Sequence, residues 1–506
     1  MKKIQIKNLR SIKDTDEIKI SKINILVGNN SSGKSTFLRI FPLLKQSFNK
    51  KINGPILWCG DDDDYVDFGS FEEAVNYNTD EKCIKIMFEC EVNLMNNFMA
   101  WNRIKSDVRE EKVRIEFSIM HSEDTGYDYI AEVQYDYREY SIRCEFSEKN
   151  EIKFLYFNND KINLQVDSNH FFPLFYEQPL FDISLNDVRN LAEKNIKKMF
   201  SFKNNEDKGQ NKLVEYITYI YINNILKSNS LDLNNIKKIQ DDVEKIYKKH
   251  NKEEIEKWIL LYYLPTHFLT ISDYLRAYFN KVYYIAPVRA TAERYYRLRN
   301  AAVKEVDCRG KNLPVFLNSL TTNKFKAFQE WTKQNLGFEV IKTTSEGHVS
   351  LQIKRDGQKK AVNLSDAGFG YSQILPIATQ LWYIAIQVED EQKMPFVVDE
   401  QKVPVTIVIE QPELHLHPGL QAKLIDIIIK VAKQGKVNFI IETHSETMIN
   451  RVGKLISNNE VNNDDIGIII FEKEFQDDNT SVKQGGFDED GYLENWPIGF
   501  FEPEEV

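Results

Sequence analysis

The chain has 506 residues, of which 42% are hydrophobic and 28% charged, with a formal net charge of −10. This balance is typical of a globular protein with a large core, and it argues against a protein that coats nucleic acid by overall charge. No run approaches 18 apolar residues, so we expect no membrane span. The five cysteines form no C-x-x-C pair, and the N-terminus lacks an apolar signal segment, so we expect a reducing cytoplasm.

Three strands are predicted at the N-terminus. Residues 2–8 alternate between polar and apolar side chains, residues 16–20 do so over a shorter stretch, and residues 22–27 form an apolar run typical of a buried strand. A glycine-rich turn follows the third strand and leads into a predicted helix. The N-terminus therefore supplies one complete strand, loop and helix unit.

That turn has the pattern of a phosphate-binding P-loop. Its backbone N–H groups can surround phosphate oxygens at the positive end of the helix dipole, and glycine permits the close approach. We expect Lys34 to reach the β and γ phosphates and Ser35 to hold Mg²⁺ through its hydroxyl. The predicted nucleotide-binding residues are Gly28, Asn29, Asn30, Ser31, Ser32, Gly33, Lys34, Ser35 and Thr36.

The middle of the chain changes from strand to helix patterns. Short alternating segments between Cys83 and about residue 166 predict an antiparallel meander beside the nucleotide core. Residues 172–280 are dense in apolar and aromatic side chains at helical spacing, which predicts a helical insertion. Its aromatic stripe fits either an internal core or a protein–protein surface.

Basic and aromatic residues alternate after residue 283. Arg289 follows an apolar segment, and Arg294, Tyr295, Tyr296, Arg297 and Arg299 come soon afterwards. Such a run can grip phosphates and stack on bases, which would make nucleic acid a partner. Arg289 is equally compatible with an internal ion pair. The sequence leaves both interpretations open.

Two apolar strands near the C-terminal end finish in residues suited to phosphate chemistry. The strand 406–409 ends at Glu410, and a carboxylate at the end of a buried strand beside a P-loop can hold Mg²⁺ through water. The strand 438–441 is followed by His444, which would sense the γ phosphate. We therefore predict Glu410 and Ser35 as the metal-binding residues.

A second anion nest is predicted between the P-loop and these strands. Residues 363–373 are rich in small residues and precede a helix that runs from Ile374 to about Gln387. The predicted nucleotide contacts there are Ser365, Gly368, Gly370 and Gln373. A second nest in one chain is useful for completing the site of a partner subunit.

In this order, the motifs resemble those of the ABC-type ATPase heads of the SMC, RecF and OLD group. They are most similar to stand-alone AAA-type ATPases of antiphage defence systems, the PtuA-like ATPases of Septu. The motifs cover both ends of the chain. The resemblance implies an α/β fold, with a mixed β-sheet core, an antiparallel β subdomain and a helical insertion.

The same resemblance implies roles for particular residues. Residues 28–36 would be Walker A, 365–373 the signature, Glu410 the Walker B acid, 415–417 the D-loop and His444 the switch histidine. It also implies two heads that sandwich two ATP molecules, each signature facing the other head's P-loop. ATP and Mg²⁺ are therefore the expected cofactors.

One position departs from the usual ABC pattern. Where such heads carry the glutamate that polarises the attacking water, directly after the Walker B acid, this chain has Gln411. Glutamine cannot accept a proton as a carboxylate does, so we predict slow ATP hydrolysis unless Glu413 or His444 assists. The predicted catalytic set is thus Glu410, Gln411, Glu413 and His444.

The predicted domains are an N-terminal lobe at 1–170 with the P-loop and the meander, a helical insertion at 171–280 and a C-terminal lobe at 281–506. The insertion would serve a dimer or partner interface. Roughly 60 residues follow His444 and hold no complete metal-binding pattern, so a nuclease or toxin effector, of HNH or Toprim type, would be separately encoded.

We expect a homodimer or higher homo-oligomer. The alternatives are a RecF-like DNA-repair ATPase that binds DNA directly and a non-hydrolysing ATP-gated scaffold.

Overall fold

The chain divides by its internal contacts into two compact units. The computed structural model describes residues 1–61, 64–94, 110–149, 151–163, 186–199, 217–221, 236–297, 303, 305–345, 347–393, 403–473 and 480–496. The first unit comprises Met1–Ile4, Ser47–Leu57 and Glu81–Ala277, and the second comprises Gln5–Gln46, Trp58–Asp80 and Tyr278–Val506. The predicted division at residues 170 and 280 stays a prediction.

Strands precede helices in the first unit and alternate with helices in the second. The strands are β1 (Lys3–Leu9), β2 (Ile12–Asp14), β3 (Ile18–Lys19), β4 (Ile23–Gly28), β5 (Ile84–Val92), β6 (Glu111–His121), β7 (Asp128–Tyr137), β8 (Tyr140–Phe146), β9 (Ile152–Phe157), β10 (Asp160–Ile162), β11 (Val282–Ile285), β12 (Tyr296–Arg297), β13 (Phe338–Ser345), β14 (His348–Arg355), β15 (Val362–Asn363), β16 (Val405–Glu410), β17 (Val437–Glu442), β18 (Ile466–Lys473), β19 (Thr480–Phe487) and β20 (Leu493–Glu494). The helices are α1 (Lys34–Asn49), α2 (Phe71–Ala74), α3 (Asn186–Met199), α4 (Ile236–Lys249), α5 (Lys252–Asn280), α6 (Leu313–Ser319), α7 (Thr322–Leu336), α8 (Phe369–Lys393), α9 (Pro418–Lys433) and α10 (Glu446–Ser457).

A mixed sheet forms the centre of the second unit. Its order is β1-β2-β19-β18-β4-β17-β16-β11, and the five strands from β18 to β11 run parallel. Strands β4 and β16 are buried along their whole length, which accounts for their unbroken apolar sequences. Because the carboxyl ends of parallel strands meet at one edge of a sheet, the residues that follow β4, β16 and β17 come together.

Three helices contribute to one apolar core with this sheet. The cluster joins Ile25 of β4 and Ile407 of β16 to Ile377 of α8, Ile428 of α9 and Ile449 of α10, all of them buried. Full burial of such a side chain contributes roughly 1.5–3 kcal/mol relative to its exposed state. The core therefore holds the strand order that sets up the sheet edge.

A smaller antiparallel sheet in the same unit precedes α8. Strand β14 pairs with β12, β13 and β15, and the longest register runs from Phe338 opposite Arg355 to Ser345 opposite His348. The loop after β15 leads directly into α8, so this sheet fixes where that helix begins. The sequence patterns did not predict β13 or β14.

The first unit contains the predicted meander. Strands β5 to β10 pair antiparallel with their chain neighbours, and inward residues such as Val113, Ile115 and Phe117 of β6 are buried. The α/β class, the mixed sheet and the antiparallel β subdomain are confirmed. Helices α3, α4 and α5 confirm the helical insertion within its described part, while residues 172–185, 200–216 and 222–235 lie outside the described residues.

Part of the aromatic stripe of the insertion forms a buried polar cluster around His267 of α5. The Nδ1 atom of His267 hydrogen-bonds the hydroxyl of Tyr135 at 2.9 Å, and its Nε2 atom hydrogen-bonds the hydroxyl of Tyr221. The imidazole is fully buried, and this desolvation lowers the pKa of His267 to about 3. These aromatic residues are core, which is one of the two interpretations left open above.

The burial of His267 predicts an acid-sensitive first unit. Its pKa is lower in the folded state than in the unfolded chain, so the unfolded state binds one more proton below about pH 6.5, and stability falls as pH falls through that window. The variant His267→Gln keeps hydrogen-bonding groups at this position but does not titrate. When the pH is lowered from about 7.5 to about 5.5, we expect the free energy of unfolding to decrease by about 1.4 kcal/mol more in wild type than in this variant. Urea denaturation at both pH values measures this difference. Equal decreases in wild type and His267→Gln would contradict the prediction. The control is His348→Gln, which changes an exposed histidine and should behave as wild type.

Candidate functional site

The P-loop connects β4 to α1 at the carboxyl edge of the sheet. Gly28 has φ +150°, and a Cβ atom there would lie 2.1 Å from the carbonyl oxygen of Phe471 in β18. Only glycine therefore fits where the chain leaves the strand. The hydroxyl oxygen of Ser32 is buried without a hydrogen-bond partner among the described residues, as expected of a loop shaped to receive an anion.

The side chain of Lys34, the first residue of α1, points back into this loop. Its Nζ atom donates to the carbonyl oxygens of Gly28 at 2.9 Å and Asn29 at 2.6 Å. Desolvation lowers the pKa of Lys34, and the charge of Glu442 opposes that shift. The ammonium group is thus buried within the loop, where a bound phosphate would pair with its positive charge.

Ser35 faces a carboxylate on the neighbouring strand. Its hydroxyl group lies 2.9 Å from Oε1 and 2.8 Å from Oε2 of Glu442, the last residue of β17. Glu442 is buried, and this desolvation, together with the nearby charge of Glu410, raises its pKa to about 7. The carboxylate in contact with the P-loop serine is therefore Glu442.

Glu410 lies beside Glu442 but is bound by other groups. The two glutamates occupy paired positions at the ends of β16 and β17. Arg39 of α1 donates from Nε and Nη2 to the two carboxylate oxygens of Glu410, each at 2.8 Å, and the hydroxyl of Tyr284 donates to Oε1 at 2.8 Å. This bidentate pairing raises the pKa of Arg39 and gives the Glu410 carboxylate a cationic partner.

Gln411 begins the loop after β16 in a strained backbone conformation. Its φ is +42°, and its N–H donates to the carbonyl oxygen of Glu442 at 2.9 Å. Arg289, which is buried, donates from Nη2 to the carbonyl oxygen of Glu410 at 3.2 Å. Desolvation lowers the pKa of Arg289 to about 10, and the charge of Glu413 opposes that shift. Arg289 is thus an internal residue, but its hydrogen-bond partner is a backbone carbonyl rather than the carboxylate of the ion pair that the sequence suggested.

Glu413 links the loop after β16 to the loop after β17. Its Oε1 atom accepts a hydrogen bond from the backbone N–H of His444 at 2.7 Å, and burial raises the pKa of its carboxyl group. Partial desolvation and the charge of Lys34 lower the pKa of His444. The predicted assisting residues therefore lie together, and the predicted sensor histidine lies within electrostatic range of the P-loop lysine.

The predicted signature residues 365–373 span the start of α8, and two of them contact His415 of the predicted D-loop. Ser365 donates from its N–H and its hydroxyl to Oδ1 of Asn363, at 3.0 and 2.8 Å. A Cβ atom at Gly370 would approach the carbonyl oxygen of His415 to 2.9 Å, and the rings of Phe369 and His415 meet edge to face at 4.6 Å. Within the described part of the chain, no hydrogen bond or ion pair joins residues 365–373 to the P-loop.

Two predicted signature residues differ in exposure. Gly368 has φ +102° and open space around its Cα atom, so this part of the turn faces solvent. Gln373 is buried, and its Nε2 atom has no hydrogen-bond partner among the described residues. The exposed turn is accessible to another molecule, whereas the Gln373 side chain lies inside the protein.

One protein family covers most of the chain. The family described as AAA ATPase domain matches residues 1–449. The chain belongs to this family. A comparison with curated proteins found no match.

The solved structures similar to this AAA ATPase include two SMC heads. One is the Smc head domain with an extended coiled coil bound to the C-terminal domain of ScpA, derived from Pyrococcus furiosus, at 14% identity over 96% of this chain and 95% of that chain. Another is the SMC head domain from Thermotoga maritima, at 11% identity over 95% of this chain and 97% of that chain. Both have a TM-score of 0.34.

Three residues of this AAA ATPase site were not predicted from the sequence. Arg39 and Tyr284 bind Glu410, and Glu442 binds Ser35. For Glu442 a signal was present, because it ends an apolar strand as Glu410 does. Arg39 and Tyr284 carried no such signal, since a lone arginine in a helix or a tyrosine in a strand is common in any fold.

The described residues hold little that could bind a metal without a nucleotide. They contain no group of three or more His, Cys, Asp or Glu residues placed to bind one ion. A P-loop magnesium needs few protein ligands, because phosphate oxygens and waters complete its coordination. The hydroxyl of Ser35 and the adjacent carboxylates fit such an ion. None of the described helices is long and apolar enough to cross a membrane.

Proposed function

We propose that this chain is an ABC-type ATPase that binds ATP with Mg²⁺, dimerises around it, hydrolyses it slowly and regulates a separately encoded effector in antiphage defence. The proposal rests chiefly on one arrangement: the Lys34 ammonium inside the P-loop beside the strand-end residues Glu410, Gln411 and Glu442. Bound Mg²⁺ would neutralise charge on the phosphate oxygens. Lys34 and the loop N–H groups would orient the triphosphate.

Slow hydrolysis follows from the residue after Glu410. Gln411 can orient a water molecule by hydrogen bonding, but its amide does not accept a proton. Glu413 and His444 are joined by a hydrogen bond close to that residue and are the groups available to assist. Prolonged ATP binding would keep the dimer closed for longer than rapid turnover would allow.

Dimerisation is supported by the exposed signature turn. Ser365, Gly368 and Phe369 are exposed at the start of α8, where backbone N–H groups and the helix dipole favour an anion. A second copy would present its bound triphosphate to this turn. The regulation of an HNH or Toprim nuclease or of a toxin is supported by the resemblance of the motifs to those of Septu-type ATPases.

Light scattering with ATP and with ADP tests the dimer. Wild type is expected to be dimeric with ATP and monomeric with ADP, whereas Ser365→Arg is expected to bind ATP and stay monomeric because its bulky cation fills the exposed turn. A wild-type monomer that retains ATP would refute the dimer. A nuclease gene beside the gene for this chain would support the effector proposal.

Two other outcomes would select the alternatives. Salt-dependent binding of duplex DNA by the isolated protein would favour a RecF-like repair ATPase, since phosphate contacts release counterions. Tight ATP retention with no phosphate release would favour the non-hydrolysing scaffold, to which Gln411 also points.

A further inference from the structure

We propose that Glu442, rather than Glu410, is the carboxylate that would hold the Mg²⁺ of a bound nucleotide, and that it orients the Ser35 hydroxyl by accepting its hydrogen bond. This inference rests on the proposed function, because it concerns how the ATP site binds its metal. It assigns a metal-facing role to a residue outside the predicted site and a different role to Glu410.

The first argument is contact. A P-loop serine binds the metal through an oxygen lone pair, so its hydroxyl proton must be donated to a neighbouring acceptor. Both oxygens of Glu442 lie within 2.9 Å of the Ser35 hydroxyl. The described contacts of Ser35 include no hydrogen bond to Glu410. The acceptor for the Ser35 hydroxyl is therefore already in place at the end of β17.

The second argument is charge compensation. Glu410 is satisfied by two charge-assisted hydrogen bonds from Arg39 and one from Tyr284. Glu442 makes no ion pair within 4.0 Å among the described residues, although it is buried and adjoins another carboxylate. Buried charges need a partner, and a divalent cation bound with the nucleotide would supply one for Glu442.

The third argument is strand order. Strand β17 lies between β4 and β16, with Glu442 in register with Leu26 and with Glu410. The P-loop leaves β4, so the end of β17 is one strand spacing away and the end of β16 is two. Arg39 lies one helical turn after Ser35 on α1 and reaches across to Glu410. Ser35 and Arg39 lie on the same helix and hydrogen-bond to different carboxylates, Ser35 to Glu442 and Arg39 to Glu410.

The role of Glu410 then becomes positional. It anchors Arg39 and Tyr284, and its carbonyl oxygen accepts from Arg289. These contacts hold the end of β16 and the strained start of the Gln411 loop. A variant at Glu410 should therefore perturb folding stability and water positioning more than metal affinity.

The test compares Glu442→Gln with Glu410→Gln, two isosteric changes at paired strand ends. For each protein, the affinity for a fluorescent ATP analogue is measured with Mg²⁺ and with EDTA, and the ratio of the two is the magnesium effect. Binding of Mn²⁺ to the nucleotide complex, followed by electron paramagnetic resonance, is a second readout that does not depend on hydrolysis. Thermal melting checks that each variant is folded.

We expect Glu442→Gln to reduce the magnesium effect by roughly tenfold or more and to weaken Mn²⁺ binding, while its affinity in EDTA is retained. Ser35→Ala removes the predicted metal ligand itself and should show the same loss, so it is the positive control, and the Glu410→Gln arm decides the assignment if Glu442→Gln is poorly folded. Glu410→Gln should keep the magnesium effect. Loss in Glu410→Gln with retention in Glu442→Gln would overturn the assignment, as would equal losses in both. Absence of ATP binding by wild type would instead overturn the proposed function.

Discussion

Replacement of Gln411 by glutamate is expected to raise the steady-state rate of ATP hydrolysis by on the order of 10²-fold, the usual contribution of a positioned general base. Gln411 directly follows Glu410, and its backbone is held by the hydrogen bond from its N–H to the Glu442 carbonyl oxygen. The substitution keeps the size of the side chain, so the new carboxylate would occupy the place of the amide. Phosphate release at saturating ATP measures the effect.

Gln411→Asp is the matched control for added charge. It introduces the same negative charge on a side chain one methylene shorter, so a carboxylate that must reach the attacking water should gain much less activity. Equal acceleration by both variants would indicate a general charge effect. An unchanged rate in Gln411→Glu would show that Gln411 does not limit hydrolysis, and Glu413→Gln would then test whether Glu413 already acts as the base.

The parts of the site that follow local rules could be predicted from the sequence. The apolar run before Gly28 and the glycine-rich turn gave the P-loop, because a buried strand, a tight turn and a helix start each have a local signature. Glu410 and His444 were placed at strand ends for the same reason, and β16 and β17 confirm those strands. The antiparallel meander was likewise predictable from alternating short segments, whereas the mixed sheet was implied by the resemblance of the motifs to ABC-type heads.

The pairing between side chains could not be predicted in the same way. Which acid Ser35 meets depends on β17 lying between β4 and β16, a strand order that no local pattern contains. The run containing Arg289 left nucleic-acid binding and an internal role open. Arg289 is buried and donates a hydrogen bond to the carbonyl oxygen of Glu410, which supports the internal role for this residue. The contact of Phe369 with His415 is similarly a product of tertiary packing.

Lys34→Met is expected to weaken ATP binding by roughly 10²-fold, the scale of a lost charge-assisted contact to phosphate. Lys45→Met is a matched control on the same helix. Lys45 is also buried, desolvation also lowers its pKa, and its Nζ atom donates to the carbonyl oxygen of Val282 at 2.6 Å. It lies 3.6 Å from a carboxylate oxygen of Glu305.

The two lysines should therefore separate binding from folding. Lys45→Met removes the hydrogen bond to Val282 and the ion pair with Glu305, so it should lower the free energy of unfolding by about 1–3 kcal/mol and leave ATP affinity nearly unchanged. Lys34→Met should show the reverse pattern, because the ammonium group that it removes lies within the P-loop, where we propose that the triphosphate binds. Equilibrium ATP titration and thermal melting of both variants measure the two effects. Wild-type ATP affinity in Lys34→Met would mean that the triphosphate does not bind in this loop.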